Sequence, residues 1–180
     1  MTDDDPIIEI TKLDAARRQL RAAVRLWFDG GDPIAIHTLA AATYEILHTL
    51  FRRRGLRGLI FDSDLVKDEH RAEWVKGIKA MAAFFKHADR DPDGVFQFNP
   101  FANEMLLFFS IKALEKMGEE LGIEEGAFVQ WIFVSRPDFL YEGAYDSTPA
   151  NVIENFRNMG KLEFFKGYVE WRRHIDETCL

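Results

Sequence analysis

The chain has a single cysteine, Cys179, and only four serines and six prolines in 180 residues. One thiol cannot close an intrachain disulfide, so a disulfide framework is excluded and nothing points to an oxidising compartment. Uninterrupted apolar runs such as Met105-Leu-Leu-Phe-Phe109 fall far short of the roughly 20 residues of a membrane span. The start, Met1-Thr-Asp-Asp-Asp-Pro6, is acidic where a secretory signal is basic and then apolar. Cys179 is followed by one residue, which excludes a prenylation box. We therefore expect a cytoplasmic protein without a membrane partner, its residues 1–10 an acidic, partly disordered tail and 11–180 a single helical domain.

Catalytic signatures are also missing. There is no G-x-S-x-G elbow, no G-x-x-x-x-G-K phosphate loop, no G-x-G-x-x-G and no H-E-x-x-H. With so few serines, and the lone thiol close to the chain end, covalent catalysis is disfavoured and the reading leans toward a non-enzyme, although a carboxylate or histidine site assembled from separate helices would leave no motif.

What the sequence does have is aromatic surface and helical periodicity. Sixteen Phe, four Trp and four Tyr make 24 aromatic residues, two thirds of them Phe. Thr11, with Asp14 three residues on, caps a first helix whose Leu13, Leu20, Val24 and Trp27 fall on one stripe. Gly30-Gly31 stops it, and Asp32-Pro33 starts a second helix that runs to about Arg53, before Gly55. This second helix is apolar or small nearly all round, which places it at the centre of a bundle.

A third helix is expected over about 67–88, with Trp74, Ile78, Met81 and Phe85 inward and His70 packed on the same face. Asn99-Pro100 opens a fourth helix that reads as far as Leu121, before Gly122. A fifth covers about 124–135 and is broken by Pro137. Thr148-Pro149 opens a short sixth that closes near Gly160, and a seventh covers about 162–176. Only Val95–Phe98 reads as extended, and one such segment makes no sheet. The expected fold is an all-α, single-domain antiparallel bundle of about seven helices.

Three groups of residues carry candidate chemistry. The first is basic. The net charge of −7 averages over residues 11–60, with 9 basic and 4 acidic groups, and 61–180, with 14 and 22. Arg17, Arg18 and Arg21 on helix one, and Arg52, Arg53, Arg54 and Arg57 at the end of helix two, meet at one end of the molecule if those helices are antiparallel. That end offers a phosphate or nucleic-acid patch, or a face for an acidic protein. Arginines at a helix C-terminus also serve its dipole, and acids elsewhere can neutralise them.

The second group is Asp89, Asp91 and Asp93 in Asp89-Arg-Asp-Pro-Asp-Gly94, the first half of a calcium loop. Its twelfth position is Pro100 rather than a bidentate Glu, and Asp91-Pro-Asp-Gly94 equally satisfies a type I turn. Calcium or another divalent metal is the only cofactor the chain hints at. The third group is His37, His48 and His87, the candidates for a catalytic histidine should the chain act on RNA or a phosphorylated ligand together with Arg52–Arg54. His37 and His48 lie on one side of helix two, about 16 Å apart at 1.5 Å per residue, too far to share a metal. Glu45-x-x-His48 is one copy of the pairing used in di-iron bundles, without a second. The ordinary reading has His37, Tyr44 and His48 edging the buried stripe and hydrogen-bonded to neighbours.

Phe84-Phe85, Phe108-Phe109 and Phe164-Phe165 spread aromatic surface over two faces of their helices. Such surface is core or a partner face, and a homodimer is the expected assembly.

Asp32–Leu47 and Phe84–Pro92 resemble segments of small uncharacterised bacterial all-helical proteins, a likeness that extends over most of residues 7–135. The layout also resembles the HEPN superfamily, whose compact helical members often dimerise and act as RNases or nucleotide-handling partners. Their hallmark is Arg, four to six residues, then His. Here the slots ahead of the five histidines hold Gly30–Asp32, Ala41–Thr43, Ser63–Leu65, Ala80–Ala82 and Gly167–Val169. No arginine stands in any of them, so the resemblance implies architecture and not nuclease activity. The expectation is a non-catalytic helical binding or interaction protein, with RNA or nucleotide handling and metal binding as the alternatives.

Overall fold

The computed structural model describes residues 7–63, 67–136, 154–156 and 158–178. These residues form an all-α bundle. The helices are α1 (Lys12–Phe28), α2 (Pro33–Arg53), a 3₁₀ turn at Ile60–Asp62, α3 (Asp68–Phe84), α4 (Phe101–Lys116), α5 (Ile123–Ser135) and α6 (Lys161–Thr178). Residues 154–156 are also helical, and no strand occurs among the described residues. The expected helix from Thr148 and the break at Pro137 fall largely outside the described residues, as does Cys179.

Local chemistry sets the helix starts. The Thr11 hydroxyl accepts from the Asp14 amide while the Asp14 carboxylate accepts from the Thr11 amide, so two otherwise unpaired donors are satisfied reciprocally. Asp32 accepts from the amides of Ile34 and Ala35 at 2.9 and 3.0 Å, with Pro33 in the first turn. Gly55 takes the left-handed conformation, φ +77°, just past the end of α2. Asn99 accepts from the Phe101 amide at 3.0 Å and opens α4.

Helix α2 packs along both α1 and α4, and buries Ile36, Ala40, Ala41, Tyr44, Leu47 and Phe51. By length and composition alone it would also cross a membrane, a test that the core helix of a bundle passes as well. Burial of Ala40 and Ala41 lets its neighbours approach closely. On the other side of α1, Phe28 is fully buried and holds α5 and α6 in place. Its ring stacks on Phe165 at 4.5 Å and 13°, with Phe128, Trp131 and Phe164 each 6.4 Å away. The paired phenylalanine of α6 is thus largely core.

Three expectations are corrected. Helix α4 ends at Lys116, because Gly118, φ +76°, terminates it before the Leu121-Gly122 stop is reached. Helix α3 buries Ala82 and sets Val75 and Ile78 against the core, with Phe85 at its end against the His37 ring; Ile78 and Phe85 thus face inward as expected, whereas Trp74 is 44% exposed and shares an outer groove with Met81. His70 is consequently exposed rather than packed. Inward and outward stripes on a helix differ by one residue, or 100°, and the alanine-rich C-terminal half of α3 leaves that choice to the neighbours it meets.

Candidate functional site

The arginines of α1 meet glutamates. Arg17, Arg21 and Arg25 recur every fourth residue and therefore point along one line. Arg17 bonds Glu119 at 2.9 Å, Arg21 bonds Glu125 at 3.2 Å, and Arg25 bonds Glu124. Arg54, from the end of α2, reaches the other oxygen of Glu119 at 2.8 Å and also donates to the Met117 carbonyl. One arginine from each group, Arg17 and Arg54, thus meets the other, on a carboxylate of their own chain. The Arg54 hydrogen bond, more than any other contact, holds Glu119 below the usual carboxylate range. Arg18, Arg53 and Arg57 are exposed.

Asp89, Asp91 and Asp93 are exposed on the connection between α3 and α4. The Gly94 amide donates to the Asp91 carbonyl at 3.2 Å, closing the turn. The Asp91 carboxylate lies over Gly94, where a Cβ would sit 2.2 Å from Oδ2, although this exposed side chain can swing aside. Among the described residues no three His, Cys, Asp or Glu side chains gather closely enough to hold a metal ion.

The candidate histidines separate into three surroundings. His87 is exposed past the end of α3. His37 is fully buried, its Nδ1 2.9 Å from Asn103 Oδ1, with the rings of Phe85 and Phe98 edge-on at 5.5 and 5.1 Å. Burial drives its pKa down, opposed in part by the Asn103 bond. His48 stands on the same helix face but opens onto a cleft.

That cleft, of about 580 Å³, lies between α2, the 3₁₀ turn and α3. Glu45, His48, Thr49 and Arg52 form the α2 wall at helical spacing; Phe61 and Asp62 form the floor; Asp68, Arg71, Val75 and Lys79 form the α3 wall. The floor is fixed from beneath: the Phe61 amide donates to the Tyr44 hydroxyl at 3.1 Å, and the Leu59 amide to Asp62 Oδ1 at 2.9 Å. Tyr44 is buried enough that its hydroxyl stays protonated well above the ordinary range.

Asp62 is the hub. It is buried, with His48 Nε2 3.6 Å from Oδ1 and Arg52 3.5 Å from Oδ2. Both distances are longer than a committed hydrogen bond. His48 Nε2 itself is shut from solvent without a hydrogen-bond partner, while 18% of the side chain remains exposed. Burial lowers the His48 pKa more than the nearby Asp62 raises it, so the ring is neutral at pH 7. Across the cleft, Lys79 lies over the Phe61 ring, 5.2 Å from its centroid, and Arg71 bonds Asp68 and the Ser63 carbonyl.

Sequence reasoning placed His48 and Arg52 among the candidates but missed Phe61, Asp62, Arg71 and Lys79. These come from a connector and from a second helix, so no periodicity linked them to α2. The structure thus defines an all-α bundle with one polar cleft on its α2–α3 side. Comparisons with protein-family models, with curated proteins and with solved structures find no match to this chain.

Proposed function

We propose that this chain is a non-catalytic helical binding protein, homodimeric, whose α2–α3 cleft takes a small ligand bearing an anionic group such as a phosphate. One observation carries the ligand reading. Arg52 and Lys79 face the same cleft from opposite walls, and among the described residues neither is held by an acid at full hydrogen-bond strength. Arg52 is 45% exposed, and its one carboxylate contact among the described residues, at 3.5 Å, is to an aspartate already engaged by a backbone amide. A guanidinium so placed can swing to an incoming oxyanion and bind it through two parallel N–H groups, the geometry that arginine is suited to. Phe61 gives the ligand an apolar floor. Arg17, Arg21 and Arg25 of α1 are spent on Glu119, Glu125 and Glu124, which argues for one anionic group in a cleft over a long nucleic-acid track.

The test is an NMR titration of the whole protein with inorganic phosphate, followed by a short single-stranded RNA. Phosphate is expected to bind in the millimolar range and to shift the His48 ring resonances. The Arg52→Gln, Lys79→Gln double variant should weaken that binding by about fivefold or more, equivalent to a lost charge-assisted bond. Absence of any saturable shift, or equal binding by the double variant, overturns the reading. RNA binding far tighter than phosphate, with a steep salt dependence, would move the assignment to nucleic-acid handling.

A further inference from the structure

Helix α3 is 17 residues long and buries one residue. Beside its inward stripe, His70, Trp74, Gly77 and Met81 recur at spacings of four, three and four, the seam spacing of paired helices. With Glu73 and Ile78 they line an outward groove of about 520 Å³. Gly77, in the middle, has open space where a Cβ would stand. The Trp74 indole donates its N–H to the Ile60 carbonyl at 2.8 Å, which fixes the ring in place with nearly half of its surface presented.

Charge along this helix is ordered. On the side away from the cleft, Glu69 and Glu73 precede Trp74 and Lys76 follows it, whereas Asp68, Arg71 and Lys79 line the cleft. A second copy of the same helix, run antiparallel, brings its Lys76 toward this acidic pair and its acidic pair toward this Lys76. With the two-fold axis beside Trp74, Glu73 stands opposite Lys76 of the partner subunit and Lys76 opposite the partner's Glu73. Both residues are exposed.

We propose that two copies of this chain dimerise through the outer face of α3, antiparallel, with the two indoles at the two-fold axis and the groove at Gly77 receiving the partner's aromatic surface. The proposal deepens the homodimeric part of the reading above and is independent of the cleft's ligand. A two-fold contact must be self-complementary, and this face is so in both shape and charge order. It also supplies what the fold leaves short, since α3 carries one wall of the cleft on very little burial of its own.

Sedimentation velocity of the full chain gives the first measurement, with a dimer expected at micromolar concentration. Glu73→Lys and Lys76→Glu should each weaken the dimer about tenfold, since two like-charge contacts replace two ion pairs, and the combined swap should restore it. Circular dichroism would check that these exposed substitutions leave the fold intact. In a Cys179→Ser background, Gly77→Cys should be joined to its copy by a short bis-maleimide, while Val95→Cys, 95% exposed on the α3–α4 connection, should not. A strict monomer overturns the homodimer itself. A dimer indifferent to both charge swaps, with Gly77→Cys uncrosslinked, overturns this face alone. Phosphate titration of the same variants reads the cleft separately.

Discussion

His37 Nδ1 stands 2.9 Å from Asn103 Oδ1, and the Asn103 amide nitrogen donates to the Pro33 carbonyl at 2.9 Å. The carbonyl contact settles which end of the amide is which, because only nitrogen can donate to Pro33. Oδ1 therefore accepts from His37, the imidazole carries its proton on Nδ1, and Nε2 is left as a buried acceptor without a partner. This pair ties the start of α2 to the start of α4 inside an otherwise apolar contact.

Replacing Asn103 by Leu should cost about 2–3 kcal/mol, because it strands the His37 N–H and the Pro33 carbonyl in the interior. His37→Phe alone should also destabilise, by leaving the Asn103 oxygen unpaired. The double variant should cost less than the sum of the two, the mark of a direct interaction. Urea denaturation of the four proteins measures it, and strict additivity would contradict the bond.

Stability should fall on mild acidification. His37 and His48 have pKa values below the ordinary 6.5, in both cases chiefly because burial disfavours the charged ring. The unfolded chain then binds protons that the folded chain does not. The stability is complete above about pH 6.5 and declines as pH drops from there toward the folded-state values. Thermal melts between pH 7.5 and 5 should show a decline that flattens in the His37→Phe, His48→Phe double variant.

Much of the bundle was legible because helix ends are written locally. Thr11 with Asp14, Asp32 with Pro33, and Gly55 each act within a few residues, and α2's apolar character leaves it no place but the centre. The α4 terminus was missed because two glycines, Gly118 and Gly122, compete within one turn of chain, and the first one is decisive. On α3, Ile78 and Phe85 were legible as inward, but Val75 and Ala82 stand there in place of Trp74 and Met81, because small residues surround Ala82 and periodicity alone does not separate a position from its neighbour. At the cleft, His48 and Arg52 were visible only as members of two separate groups on one helix. Asp62 and Lys79 join them only through tertiary placement, as Glu119 joins Arg17 to Arg54.

Glu119 bridges α1 and α2 through Arg17 and Arg54, so Glu119→Gln should weaken two contacts at once. Exposed pairs contribute little, and a loss of about 0.5–1.5 kcal/mol is expected for this partly buried, two-armed one. Because its folded-state pKa is depressed, the contribution is present above the ordinary carboxylate value and is lost as pH falls through the lower folded value. The gap between wild type and variant in urea melts should therefore narrow toward pH 3, and also in high salt.

Gly122 precedes α5 in extended backbone, φ −78° and ψ −180°, so its conformation suits any residue. Its size is what counts: a Cβ would lie 2.5 Å from Glu125 Oε2 and 2.9 Å from an Arg21 nitrogen. Glu125 is almost wholly buried and cannot step aside cheaply. Gly122→Ala should thus destabilise, but alanine is also a poorer N-cap than glycine, by up to about 1 kcal/mol. Gly122→Ser separates the two causes. Serine is a better cap than glycine, so it stabilises if capping governs and destabilises, by about 1–2 kcal/mol, if the collision governs. We expect destabilisation. Removing the obstacle with Glu125→Ala should then turn Gly122→Ser favourable, because Arg21 is half exposed and tolerates the loss of its partner, whereas a buried Glu125 forced aside does not. Chemical denaturation of the two singles and the double decides it, and a serine variant more stable than wild type would show that the glycine is there for its cap and not for its size.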